Sequence, residues 1–216
     1  MITDVRLGDT QAVKMYRGDD VVWERHTDDE LPTGYKRCKY LESNKKQYID
    51  TLIPASSENS LHVTAVPIEK DGNYIFGGGD SLTSASGISA WVSNVGLTFN
   101  VGGERVYSRV PVNNETEIEL YYDAERNVCG FNGEERYTNG AFSNIQLVLF
   151  AGTDYKYPSS TRIKHFTYGD FRNYIPALDT SGKPCMYDTV SAQPFYNIGK
   201  GEFGYELEDG TYVAPI

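Results

Sequence analysis

The chain has 216 residues, enough for one large core and a small appendage. Its 20 basic and 30 acidic side chains leave a formal charge of -10 and a pI of about 4.8, which argues against nucleic acid as a partner. No apolar run approaches the roughly 20 residues that a spanning helix needs. The opening MITDVRLGDT also lacks the basic-then-apolar pattern of a secretion signal, so the expectation is folding in the cytosol without membrane insertion.

The 17 Tyr and 21 Gly favour strands joined by tight turns, because rings suit a pleated surface and Gly supplies positive φ. Residues 2–7, 12–16 and 21–23 are apolar-rich runs separated by Gly8-Asp9 and Gly18-Asp19-Asp20, which predicts a small three-stranded meander over residues 1–27. Such a segment is too short to bury a core alone and must dock on something. Residues 28–34 are acidic, contain Leu31-Pro32 and read as a linker.

Beyond Gly34 the pattern stays β. Strands are predicted over 39–42, 47–51, 61–67, 74–77, 88–92 and 97–101, the later ones bracketed by Gly87, Gly96 and Gly102-Gly103. EIELYYD, residues 117–123, sets Ile118, Leu120 and Tyr122 on one face and Glu117, Glu119 and Tyr121 on the other. Residues 127–132 turn through Gly133-Glu134 into 135–137, which is hairpin chemistry. IQLVLFA, residues 145–151, is apolar on both faces except at Gln146 and predicts a strand covered on both sides. In 162–168, Ile163 and Phe166 break strict alternation, which predicts a bulge or an edge. No amphipathic helix of ten residues stands out, so the fold class is all-β, an antiparallel two-sheet jelly-roll sandwich with a small N-terminal β-meander.

Several motifs add to this reading. The start holds Leu31-Pro32, Gly34-Tyr35, Tyr40-Leu41-Glu42-Ser43 and Gln47-Tyr48-Ile49-Asp50-Thr51. The middle holds IFGGGDS, DAERNVCGFNGEE and IQLVLFAGTD. The end holds IPALD, GKPCMYD and FYNIGKGEF. In this order they resemble the concanavalin A-like, laminin G-like jelly rolls encoded by phages and prophages. The resemblance implies a jelly roll over residues 35–207, with 208–216 as a C-terminal tail. It also implies that the stretch from Ile175 to Phe203 returns across the sandwich as an irregular strap pinned by Tyr187, Phe195, Tyr196 and Phe203. A weaker likeness, carried by Leu7-Gly8, Val13, Tyr16, Gly18 and Val22-Trp23, is to modules at the front of tail and baseplate-associated proteins. It implies attachment through Tyr16, Val22 and Trp23, with a homo-oligomer, such as a trimer, or another virion protein supplying the missing core.

Candidate chemistry is sparse. Laminarinase-like jelly rolls carry Glu-aliphatic-Asp-x-x-Glu; the nearest match, EIELYY, has Glu119 for Asp and Tyr122 for the last Glu, so one of two necessary carboxylates is missing and no enzyme is expected. His26, His62 and His165 are far apart and lack triad partners, and no nucleotide or hydrolase motif appears. Cys38, Cys129 and Cys185 are odd in number and widely spaced, and read as reduced buried thiols. Laminin G-like domains often hold Ca²⁺ at the rim; Asp80, Asp123 and Asp154 are the candidate ligands, although no contiguous Ca²⁺ loop exists and solvated loop acids are the favoured reading. For a sugar, Trp91 is offset from its apolar neighbours, and Tyr155 and Tyr157 stand beside Asp154 in GTDYKYPSS.

Together these readings imply a non-enzymatic virion component of a tail, baseplate or fibre, assembled in the bacterial cytoplasm, whose jelly roll contacts a host-surface glycan. The alternative is a capsid or tail decoration protein that stabilises the particle without binding sugar. A cell-surface glycanase or adhesin fits less well, given the broken carboxylate pattern. Deletion of residues 1–27 should leave a folded chain that no longer enters particles, read by particle composition after complementation; unchanged incorporation would remove the attachment role.

Overall fold

A computed structural model describes residues 31–69, 72–79, 87–93, 96–108, 112–152, 155 and 157–216, together with the backbone of four short strands before residue 25. The chain divides into two compact units, Met1–Glu30 and Leu31–Ile216.

In the first unit, β1 (Arg6–Leu7) pairs antiparallel with β2 (Thr10–Gln11), and β3 (Lys14–Arg17) with β4 (Asp20–Glu24). The predicted three-stranded meander is instead two separate ribbons. Among the described residues β1 pairs only with β2 and β3 only with β4, Leu7 opposite Thr10 and Arg17 opposite Asp20. Met15 pairs with Trp23. The side chains of Tyr16, Val22 and Trp23, and so the attachment face expected of them, lie outside the described residues.

The second unit is a two-sheet antiparallel β-sandwich of the jelly-roll type. Its strands are β5 (Lys36–Asn44), β6 (Ile49–Ala55), β7 (Leu61–Pro67), β8 (Asn73–Gly78), β9 (Ile88–Ser93), β10 (Gly96–Val101), β11 (Glu104–Tyr107) and β12 (Ile118–Asp123). They continue as β13 (Val128–Phe131), β14 (Glu134–Tyr137), β15 (Ile145–Leu149), β16 (Ser160–Tyr168), β17 (Asn173–Leu178), β18 (Pro184–Asp188), β19 (Gln193–Tyr196), β20 (Gly204–Leu207) and β21 (Tyr212–Val213). The smaller sheet runs β11-β10-β9-β8-β15-β6; the larger runs β14-β13-β12-β7-β16-β17-β5-β20-β21, with β18 and β19 added beside β17. Among the described residues there is no α-helix.

Alternation sets the two inner faces. Val63, Ala65, Ile118, Leu120, Tyr122, Ile163 and Phe166 of the larger sheet meet Phe76, Ile88, Ala90, Val92, Leu97, Phe99 and Leu147 of the smaller in one core. Six rings form a continuous line through it. Phe131–Phe99, Phe99–Phe76, Phe76–Phe166, Phe166–Tyr174 and Tyr174–Phe195 have centroids 5.4, 5.8, 6.3, 5.8 and 5.1 Å apart, within the range of favourable ring pairs. Three buried tyrosines of the larger sheet also use their hydroxyls as rivets: Tyr174 donates to the carbonyl of Thr51 at 3.0 Å, Tyr168 to that of Ser56 at 3.2 Å and Tyr122 to that of Ser57 at 3.2 Å.

Some expected irregularities are where the sequence puts them. The register of β16 against β7 shifts between Ile163 and His165, which is the bulge implied by the broken alternation. β15 lies between β8 and β6, with Leu147, Val148 and Leu149 all buried. Other expectations change. The stretch from Ile175 to Phe203 is not an irregular strap throughout: it contains the regular strands β17, β18 and β19, with Pro176, Pro184 and Pro194 inside paired strands and Gly182, Gly199 and Gly201 outside them. Phe203 still pins the return, 4.7 Å from Phe150 and only 2% exposed. Tyr187 does not face the main core: with Ile175, Ala177 and Cys185 it forms a second cluster on the outer side of the larger sheet.

Leu31 and Tyr35 cover that second cluster, and Tyr196 packs beside them. Residues 31–34, expected as linker, therefore belong to the sandwich unit; Gly34, at φ +92°, makes the turn that lets Tyr35 N–H reach the Pro32 carbonyl at 3.1 Å. Residues 208–216, expected as a tail, carry β21, and Ile216 exchanges backbone hydrogen bonds with Glu202 at 3.0 and 3.1 Å. The fully buried Gln47 amide donates to the carbonyls of Glu202 and Ile216 at 3.0 and 2.8 Å, tying the β5–β6 turn to this end of the chain.

Replacing Phe203 with Ala should remove the ring that closes the sandwich and cost about 3–5 kcal/mol. The measurement is equilibrium urea unfolding; a loss below about 1 kcal/mol would show the closing stretch to be peripheral.

Candidate functional site

The outward face of the smaller sheet carries the densest arrangement of binding-type side chains. Its strands β9, β10 and β11 are successive hairpins. Gly102 and Gly103, with φ +54° and +89°, close the second across the pair Val101↔Glu104, as a type I′ turn requires. That register fixes which residues share a row. One outward row runs Tyr107↔Thr98↔Trp91↔Tyr74. The next, roughly 7 Å along the strands, runs Arg105↔Asn100↔Ser89↔Gly77↔Val148↔Asp50.

The rings of the first row cooperate. Trp91 lies 5.5 Å from Tyr74, Tyr74 lies 6.1 Å from Tyr157, and the Arg105 guanidinium stands 5.9 Å from the Trp91 ring centroid. Tyr155 packs 5.5 Å from Tyr48 and donates to Asp50 at 2.9 Å; Gln146 donates to the other oxygen of Asp50. Tyr155 and Tyr157 both adopt left-handed backbone, at φ +58° and +55°, which bulky residues rarely do and which costs of order 1–3 kcal/mol each. Both rings contact the smaller sheet, Tyr155 at Asp50 and Tyr157 at Tyr74, and Tyr157 remains 56% exposed. In the two outward rows Ser89, Thr98 and Asn100 are buried although they point outward, and the Ser89 hydroxyl and the Asn100 amide nitrogen have no hydrogen-bond partner.

Of the sequence-derived sugar candidates, Trp91 and Tyr157 thus come together through Tyr74, and Tyr155 lies further along at Asp50. Asp154 is outside the described residues. Tyr74, Tyr107, Ser89, Asn100 and Arg105 were not singled out from sequence. The signal was there in part: once Gly102-Gly103 is taken as a two-residue hairpin, counting back from it pairs Arg105 with Asn100 and Tyr107 with Thr98.

Of the metal candidates, Asp123 alone is among the described residues. Asp80 and Asp154 lie outside the described residues. Asp123 is committed locally: Oδ2 accepts from Arg126 Nε at 2.6 Å, and Oδ1 accepts the N–H groups of Glu125 and Arg126 at 3.0 and 3.1 Å. The Arg126 contact, then the N–H groups, hold its carboxyl below the usual range. Among the described residues no group of three His, Cys, Asp or Glu is placed to hold a metal.

The carboxylate strand has a further property. Glu117 and Glu119 are exposed and Glu117 pairs with Lys164, whereas Tyr122 is fully buried, 5.9 Å from Phe142. The β12–β7 register is regular from Ile118 to Tyr122, so position 122 faces the opposite side from 117 and 119, as the alternation of the strand predicts. The histidines are closer than sequence distance implied. His62 and His165 lie 6.4 Å apart on the outer face of the larger sheet, and His165 Nε2 is 2.6 Å from Asn173 Oδ1. Burial pushes His62 down, so it stays neutral near pH 7.

No family model matches the chain, and no curated protein matches its sequence. The fold defines the chain's class as a two-sheet jelly-roll sandwich with an aromatic, partly unsatisfied outer face.

All three thiols are buried, and burial pushes Cys38, Cys129 and Cys185 from an ordinary value of 9.0 up to about 12. The unfolded chain ionises them near pH 9 while the fold keeps them neutral, so their contribution to stability is complete below pH 9 and lost as pH rises toward 12. Native protein at pH 8 should leave 5,5′-dithiobis(2-nitrobenzoate) unreacted, and the denatured chain should release thiolate from all three. Prompt reaction of the native protein would show an accessible thiol.

Proposed function

We propose that the protein is a non-enzymatic structural component of a phage or prophage virion, associated with a tail, baseplate or fibre, that displays its jelly roll to contact a host-surface glycan. The ordered motifs from Leu31-Pro32 to the FYNIGKGEF ending support the virion origin through their resemblance to phage-encoded jelly rolls. The observation that carries glycan contact is the outward row Tyr107–Thr98–Trp91–Tyr74, with Tyr157 added to it. Sugar rings have an apolar face that stacks on aromatics and a polar rim that needs hydrogen-bond partners. Trp91 and Tyr157 offer the first, and the unpartnered Ser89 and Asn100 atoms offer the second. Under this reading the paired Tyr155 and Tyr157 strain presets the rings and lowers the ordering cost on binding.

The test is calorimetry of the full chain against purified surface polysaccharides of candidate bacterial hosts, beside Trp91→Ala. The expected result is binding that falls about tenfold or more without the indole, equivalent to ~1.4 kcal/mol. Binding indifferent to Trp91→Ala would move the site elsewhere. If no polysaccharide binds, and adding the chain to particles that lack it raises their heat resistance, the decoration role takes its place.

A further inference from the structure

We infer that the sugar taken by this face carries a carboxylate, so that the ligand is an acidic glycan of the uronate class; this rests on the glycan-contact reading above. The basis is the second outward row. Arg105, Asn100 and Ser89 are successive cross-strand partners, which sets their Cβ atoms about 5 Å apart from strand to strand. Asn100 and Ser89 are 1% and 0% exposed, yet the Asn100 nitrogen and the Ser89 hydroxyl are unpartnered. A buried polar atom left unmet is destabilising, a penalty that a ligand hydrogen bond would remove.

Arg105 gives the charge. On this acidic chain, Arg126, Arg136, Arg162 and Arg172 each sit against a carboxylate. Arg105 makes no ion pair among the described residues; its guanidinium is exposed and leans toward the Trp91 ring. A planar guanidinium matches a carboxylate with two parallel N–H···O bonds. A pyranose stacked on Trp91 would hold a ring carboxylate over the second row, where Arg105 meets it and the Asn100 amide and Ser89 hydroxyl meet its neighbouring hydroxyls. The two carboxylate-directed features at the far end are already consumed, since Asp50 accepts from Tyr155 and Gln146.

The experiment titrates the full chain with oligogalacturonate, oligomannuronate and hyaluronan oligosaccharides, each beside its carboxyl-reduced neutral counterpart. The expected result is at least one acid bound about tenfold tighter than its reduced form, the preference shrinking with added salt and vanishing in Arg105→Gln. Arg105 is exposed, so that variant keeps its fold, checked by its urea midpoint. Equal binding of an acid and its reduced form overturns this inference and leaves the glycan reading standing. An acid preference that survives Arg105→Gln overturns the assignment to this row. Failure of every acid and every neutral form to bind, with the host polysaccharides also silent, overturns both.

Discussion

The line of six rings from Phe131 to Phe195 is the constraint on which the sandwich depends. It begins in the larger sheet, passes into the smaller through Phe99 and Phe76, and returns through Phe166 to Tyr174 and Phe195. Each ring must keep its inward parity for the line to hold, so strands β8, β10, β13, β16, β17 and β19 have their registers fixed together. A one-residue slip in any of them would turn a ring to the outside. The outward rows are the complement of this arrangement: because Phe99 faces in, Thr98 and Asn100 face out, and the register shift between Tyr74 and Phe76 turns Tyr74 out although Phe76 faces in.

Much of the fold was legible in the sequence because period-two patterning is a local property. LHVTAVP gave β7 with its observed bounds, and the misplaced spacing of Ile163 and Phe166 gave the bulge in β16. The return from Ile175 to Phe203 was misread because both of its faces are covered. Ile175, Ala177 and Tyr187 pack outward under Leu31 and Tyr35, while Tyr174 and Met186 pack inward, and a strand apolar on both sides shows no alternation. The N-terminal segment failed for a different reason. Gly-Asp punctuation announces hairpins but not whether neighbouring hairpins pair with each other.

The site was legible only to the extent that single residues advertise it. Trp91 could be placed outward from the apolar pattern of its own strand. Ser89 shares that outward parity, but nothing local marks it, Asn100 or Arg105 as a group; they become one only through registers that join three strands. Asp123 illustrates the converse. A loop carboxylate looks like a free ligand in sequence, yet Arg126 three residues on, and two backbone N–H groups, already occupy it.

The C-terminal hairpin has a mechanical consequence. β20 runs antiparallel to β5 and β21 antiparallel to β20, so β21 ends beside the far end of β5, where Gln47 and Glu202 grip Ile216. A pull applied between residue 31 and residue 216 therefore acts along these strands in opposite directions. Their hydrogen bonds bear the load together, in shear, instead of opening one after another as in a peeled ribbon. A domain held at these two points gains resistance to force from this reversal alone.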